Sequence, residues 1–252
     1  MDRNKRYITL LPLSILFSNC IMTTAHAEFS LGAGTIALNT PYKEYDMKIT
    51  PFPVINYKGE NFWINGLGAG YYLFNDASDK LSVLTYYDPT HFKHEDSDNK
   101  NMRRLTTRKG TVMTGLSYVH KMQHYGSLRI ALAGDVLSNS NGVTVDAAWL
   151  YRYVKGALSV TPALGIKWNS ANQNDYYYGI SQYESRRSNM ERYDPDASVS
   201  PYAELSISYD FSGNWNLYSV GRWTRLSDEI TDSPMVEDSW DSIMSVGVTY
   251  SF

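Results

Sequence analysis

At 252 residues with a formal net charge of −3, the chain is the size of one large domain and has no cationic surplus for nucleic acid. Past residue 27 the net charge is about −5, and the single cysteine, Cys20, lies before that point. The remainder therefore has neither a disulfide framework nor thiolate metal ligands.

The first 27 residues read as an export signal. Arg3, Lys5 and Arg6 make a positive start, Tyr7 to Met22 a mostly apolar stretch, and Ala25-His26-Ala27 a small-x-small cleavage site. Pro12, Ser14, Ser18 and Asn19 interrupt the apolar stretch, which stops short of the roughly 20 residues a spanning helix needs. Phe17-Ser18-Asn19 before Cys20 lacks the aliphatic-then-small context of a lipoprotein site. Residues 1–27 are thus expected to be a cleaved signal and 28–252 the mature domain.

Beyond that point the pattern is alternation. Strands are expected over 29–37, 50–58, 61–66, 68–74, 80–88, 109–121, 126–137, 142–154, 157–169, 197–211, 214–226 and 240–252. Leu128, Ile130 and Leu132 alternate with Arg129, Ala131 and Ala133; Val199, Ala203, Leu205, Ile207 and Tyr209 alternate with Ser200, Tyr202, Glu204, Ser206 and Ser208. Alternate side chains of a strand point to opposite faces, so each run has one apolar face. Most runs approach the ~9–11 residues of a tilted membrane-spanning strand. Arg129, Asp135, Asp146, Arg152, Lys167 and Glu204 fall on the inner face, where they would pair or hydrate. The 21 tyrosines suit aromatic girdles at two interfaces. Negative mean hydropathy does not count against a barrel, because its two faces average out.

No stretch past residue 28 holds a sustained 3.6 period, so helix signals are weak. Short connections at Lys155-Gly156 and Asp210 to Asn214 read as periplasmic turns, and the polar stretches 89–108, 170–196 and 227–239 as extracellular loops. A break at Asn65-Gly66 gives twelve strands; a bulge there instead would give ten. The fold class is therefore an all-β, antiparallel, up-and-down transmembrane barrel, with twelve strands preferred. Met244, Val246, Val248, Tyr250 and Phe252 form an apolar dyad ending on an aromatic, which resembles the signal read by the outer-membrane barrel assembly machinery. That machinery is an expected partner in biogenesis.

Several segments resemble one family. They include Thr40-Pro41-Tyr42-Lys43, Pro51-Phe52-Pro53-Val54-Ile55-Asn56-Tyr57, Thr161-Pro162-Ala163-Leu164-Gly165 and Asp175-Tyr176-Tyr177-Tyr178-Gly179-Ile180-Ser181. With Glu184-Ser185-Arg186-Arg187-Ser188 and Glu229-Ile230-Thr231-Asp232-Ser233-Pro234-Met235, they are similar to the MipA/OmpV family of Gram-negative outer-membrane proteins, the last stretches to its YiaT branch. The resemblance spans the mature chain. It implies an outer-membrane barrel, and a non-enzymatic scaffold in the cell envelope that brings a lytic transglycosylase together with a penicillin-binding protein at the murein (peptidoglycan) layer. No residue motif accompanies that role.

Chemical candidates are few, and no cofactor is expected. Ser140-Asn141-Gly142 matches part of the His-x-Ser-Asn-Gly stretch of outer-membrane phospholipases, but Ser138 stands where the base belongs, which favours a polar turn. His91 and His94 lie in a charged loop, and Asp96-Ser97-Asp98-Asn99 lacks the glycine and glutamate of a calcium loop. Arg103, Arg104 and Arg108, with Arg186 and Arg187, are candidate contacts for the phosphates of lipopolysaccharide, beside the outer-membrane lipids. Three functions stand at this stage: a scaffold, a narrow pore using the inward charges, and a surface phospholipase-like enzyme.

Overall fold

The computed structural model describes residues 28–252, so the export signal falls outside the described residues. Thirteen strand segments form one antiparallel sheet: β1 (Glu28–Asn39), β2 (Lys48–Lys58), β3 (Phe62–Asn65), β4 (Gly68–Asn75), β5 (Asp79–Asp88), β6 (Thr111–Met122) and β7 (Gly126–Asp135). They continue with β8 (Val143–Leu150), β9 (Tyr153–Lys155), β10 (Leu158–Asn169), β11 (Ser198–Ser212), β12 (Trp215–Arg225) and β13 (Trp240–Ser251). β8 and β9 both pair with β10 and are one stave interrupted at Tyr151-Arg152, so the barrel has twelve. β13 returns to pair with β1, from Ser30↔Ser251 to Asn39↔Ser242, and the sheet closes without a free edge at this seam.

Burial follows the alternation. Leu128, Ile130 and Leu132 are exposed on the outside while Arg129, Ala131 and Ala133 are buried; Met244 and Val246 point outward while Ser245 and Thr249 are buried. Phe211, Trp215, Tyr250, Phe252 and Phe29 pack ring against ring, some stacked and some edge-on, at the rim where β1 begins and β13 ends. At the other end, Arg225 lies 5.6 Å from the centre of the Trp240 ring. The outer surface is thus an apolar band bounded by aromatics, suited to lipid.

The twelve-strand count rests on Gly66, whose φ of 55° lets the chain reverse between β3 and β4 in two residues. This hairpin is short, and β2 meets β3 only over Asn56–Lys58. Gly66 N–H donates to the Ile55 carbonyl, so the backbone groups of Ile49, Pro51, Pro53 and Ile55 all face that side. Above the hairpin tip the wall is low, and among the described residues this edge of β2 has no strand beside it. Pro51 and Pro53 remove two N–H groups there, which blunts the edge against strand addition.

Three short helices nevertheless form where the helix signal is weak. The connections hold α1 (Ala171–Tyr178), α2 (Gln182–Ser188) and α3 (Asp228–Thr231), with 3₁₀ turns at His94–Asp96 and Met102–Arg104. Their signal is capping rather than periodicity. The Ser170 side chain accepts from Gln173 N–H, Ser181 and Glu184 close a capping box, and Asn189 ends α2 in the left-handed region at φ 60°. Helices this short are fixed by their ends and by what they pack on, so a 3.6-residue period has no room to show.

Candidate functional site

The lumen and its extracellular cap hold most of the buried polar chemistry. Arg129 on β7 reaches Asp146 on β8 at 2.9 Å and the Tyr202 hydroxyl on β11 at 3.1 Å. That hydroxyl donates to Asp146 Oδ1 at 2.8 Å. Arg222 on β12 donates to Asp146 Oδ2 at 3.2 Å and, through Nε and Nη2, to Glu204 Oε2 at 2.9 and 2.7 Å. Its guanidinium lies 3.7 Å from the centre of the Tyr202 ring. Two cations and two carboxylates are thereby neutralised in a region where a lone charge would cost several kcal/mol, on the order of what ion burial costs generally. All six charges expected on the inner face lie there; Lys167 stands 4.0 Å from Asp88, and Arg152 Nε donates to Ser159 at 3.0 Å.

Two apolar clusters also lie on the inner face. Trp63, Tyr72, Leu84 and Ala131 pack together, and Val54 packs with Tyr218 and Val220 across the β1–β13 seam. Gly34 and Gly247 leave the space that the Tyr218 hydroxyl occupies; a Cβ at either would meet that ring. Ser200, Tyr202, Glu204, Ser206 and Ser208, the inward residues of β11, are all buried. A wide aqueous channel would leave such residues exposed.

The extracellular mouth is covered by four connections, 40–47, 89–110, 170–197 and 226–239. Tyr42, Phe92, Met102, Leu105, Tyr178 and Ile180 are among the buried residues of one apolar cluster joining all of them. Isolated bridges tie Tyr42 to Val236, Tyr45 to Ser97 and Ile180 to Tyr193. The centre of the cap is Glu184. Its Oε1 meets Arg108 at 2.8 Å and accepts from Thr106 N–H at 3.0 Å, while Oε2 accepts from Ser181 N–H and hydroxyl at 3.1 and 2.9 Å. Burial resists this charge, but Arg108 and the N–H donors outweigh it and hold the carboxyl at about 2. Burial pushes the Tyr42 and Tyr178 phenols far up and Tyr45 up to about 12, so all three stay neutral.

The predicted site residues divide. Arg103, Arg104, Arg186 and Arg187 are exposed on the cap, and Arg104 Nη1 lies 3.4 Å from the Arg187 carbonyl, which brings the two loops together. Arg108 does not belong with them: it is buried, paired with Glu184 and bonded to the Gly179 carbonyl at 3.2 Å, and so is closed to lipopolysaccharide. Sequence spacing grouped it with its neighbours because nothing local marks a buried arginine; its partner is 76 positions away. Met244, Val246 and Phe252 of the terminal dyad are exposed on the outer face. Ser140 Oγ donates to Gln173 Oε1 at 2.7 Å, and Asp135 accepts from the backbone of Leu137, Ser140 and Asn141. The Ser-Asn-Gly stretch is thus a turn locked by an aspartate. His91 and His94 engage the Pro89 carbonyl and Thr107, and no cluster of three metal-ligating side chains occurs among the described residues.

A family model described as MltA-interacting protein MipA matches residues 31–252. The chain is similar to the MltA-interacting protein of Escherichia coli K12, 56% identical over 97% of this chain and 99% of the relative. It is also similar to outer membrane protein YiaT of Escherichia coli O157:H7, 34% identical over 94% of this chain and 96% of that one. A third relative is outer membrane protein OmpV of Vibrio cholerae, 21% identical over 91% and 88% of the two chains.

Proposed function

The chain belongs to the MipA family of outer-membrane proteins, and on that premise we propose that it is a non-enzymatic docking protein for a murein-cleaving enzyme. The observation that carries this reading is the 56% identity to an MltA-interacting protein along nearly the whole chain, periplasmic turns included. A barrel whose opposite mouth is covered by its long connections offers a periplasmic partner its turns. One of them is the Met122–Gly126 turn, with Tyr125 76% exposed and its carbonyl held by Trp149 Nε1 at 2.7 Å. A transglycosylase docked there would work beside the membrane, and a penicillin-binding protein joined to the same surface would couple cleavage to synthesis. Residues 1–27 direct export in this proposal, and Arg103, Arg104, Arg186 and Arg187 meet lipopolysaccharide phosphates on the opposite side.

The test is capture of a purified soluble lytic transglycosylase of the MltA type by the refolded barrel. Saturable binding, lost on replacing Gln123-His124-Tyr125 with Ser-Gly-Ser in a barrel that still folds, supports the proposal. Absence of binding, or binding untouched by changes to every periplasmic turn, rejects it. The buried inward residues of β11 and the covered mouth weigh against the pore reading, and planar-bilayer recordings are expected to be silent.

A further inference from the structure

The cap segments 99–109 and 181–190 hold one carboxylate between them, Glu184, and Arg108 neutralises it at 2.8 Å. Arg103, Arg104, Arg186 and Arg187 remain, all exposed, and none of them enters an ion pair among the described residues. Asp98 and Glu191, the acids bordering these segments, enter none either. A concentrated positive patch thus sits on a chain whose net charge is −3. Its parts are held in place. Thr106 N–H and Arg108 both engage Glu184, which fastens 102–108 to α2. Tyr183, Arg186 and Arg187 stand at i, i+3 and i+4 on α2 and share its outer face, while Glu184 and Ser188 are buried. Arg104 joins this face through the Arg187 carbonyl, 3.4 Å from its Nη1. Tyr183 is 70% exposed, with the Arg187 guanidinium 5.2 Å from the centre of its ring.

Part of this patch has a local explanation, because Arg186 and Arg187 lie in the last turn of α2, where cations complement the helix dipole. That does not call for arginines from a second loop, nor for an exposed ring among them. Like charges gathered on a rigid surface repel, and an anion relieves the repulsion. The planar fork of a guanidinium suits phosphate, which it grips through two parallel hydrogen bonds. The tyrosine offers a flat apolar face, wet at one end, to the C–H side of a sugar ring. A bare phosphate would leave the ring unused, and a neutral sugar would leave the arginines unanswered. Both segments belong to the connections over the extracellular mouth, away from the lipid-facing wall where Arg225 and Trp240 mark the rim. They face the sugars of the outer leaflet rather than its acyl chains. We propose that Tyr183, Arg104, Arg186 and Arg187 bind a phosphorylated sugar of the lipopolysaccharide core. This inference rests on the lipopolysaccharide contact proposed above and deepens it, naming the core phosphates rather than those of the lipid anchor as the groups held.

The experiment is titration of the refolded full chain in detergent with four probes: core oligosaccharide freed of its lipid anchor, the same oligosaccharide dephosphorylated, inorganic phosphate, and intact lipopolysaccharide. The phosphorylated oligosaccharide is expected to saturate one site and to bind at least about tenfold more tightly than the dephosphorylated form or inorganic phosphate. Arg186→Ala with Arg187→Ala should weaken it by about tenfold or more, and Tyr183→Ala by about fivefold, while the barrel still shifts in migration on heating. Equal affinity for the dephosphorylated form or for inorganic phosphate, or unchanged affinity in either variant, would overturn the assignment. So would binding of intact lipopolysaccharide without binding of the free oligosaccharide, which moves the contact to the lipid anchor and leaves the broader reading standing. No binding of intact lipopolysaccharide removes both. The comparison of probes uses the unaltered chain and stands even if a variant does not fold.

Discussion

Glu184→Gln should loosen the cap without opening the barrel. In the folded chain the Glu184 carboxyl sits at about 2 against an ordinary 4.5, although burial alone would raise it. Each tenfold change in acidity is worth ~1.4 kcal/mol, so ionised Glu184 stabilises the cap by about 3 kcal/mol. Removing one partner of a buried ion pair costs about 3–5 kcal/mol on independent grounds, because the other charge is left stranded. The two routes agree. Glutamine keeps an oxygen for Thr106 or Ser181 but cannot neutralise Arg108, which is buried with it. Hydrogen exchange in 170–197 at pH 7 should therefore quicken by on the order of a hundredfold, while exchange in the strands stays unchanged. The pH dependence has a definite sign. A carboxyl whose folded value is depressed stabilises fully above about 4.5 and loses that contribution as pH falls towards about 2. The wild-type cap should thus loosen across this window, and the Gln variant should show little change there. Adding Arg108→Met should recover part of the loss. Identical exchange in wild type and Glu184→Gln at pH 7 would refute the reasoning.

Arg222→Met strands Glu204 and leaves Asp146 to Arg129 and Tyr202, so it should cost about 3–5 kcal/mol in denaturant unfolding from micelles, with partial recovery in the double variant with Glu204→Gln. Gly32→Val places a Cβ against the Val248 carbonyl and the Thr249 backbone at the β1–β13 seam, and should abolish the heat-modifiable band. Gly134→Ala, whose Cβ would come no nearer than 3.9 Å to a neighbour, should leave the band unchanged. Pro51→Thr with Pro53→Thr restores two N–H groups to the open edge of β2 and should promote association in detergent, read by light scattering; a monomer would show that the prolines do not guard this edge.

Most of the barrel was legible because alternation is a local property. A residue such as Leu128 or Arg129 declares its face through its immediate neighbours, and the twelve staves follow from twelve such runs and one turn at Asn65-Gly66. The partition of charge followed too, since lipid leaves an arginine only the inside. What the pattern withheld was pairing. Arg129 meets Asp146 and Tyr202, on β8 and β11, and the register joining them is a property of the closed sheet rather than of any one strand.

The cap shows the same limit more sharply. Residues 170–196 read as a polar loop because their tyrosines and short helices have no period, yet they supply Tyr177, Tyr178 and Ile180 to the apolar cluster over the mouth. Ser181 and Glu184 carried a capping-box signature in plain view, three residues apart. Recognising it would have placed α2, but not the second use of Glu184, whose carboxylate also holds Thr106 and Arg108 from another loop. The exposed arginines could be listed by charge alone. Arg108 could be separated from them only by its distant partner, so sequence identifies which residues carry chemistry here more readily than which of them remain available to a ligand.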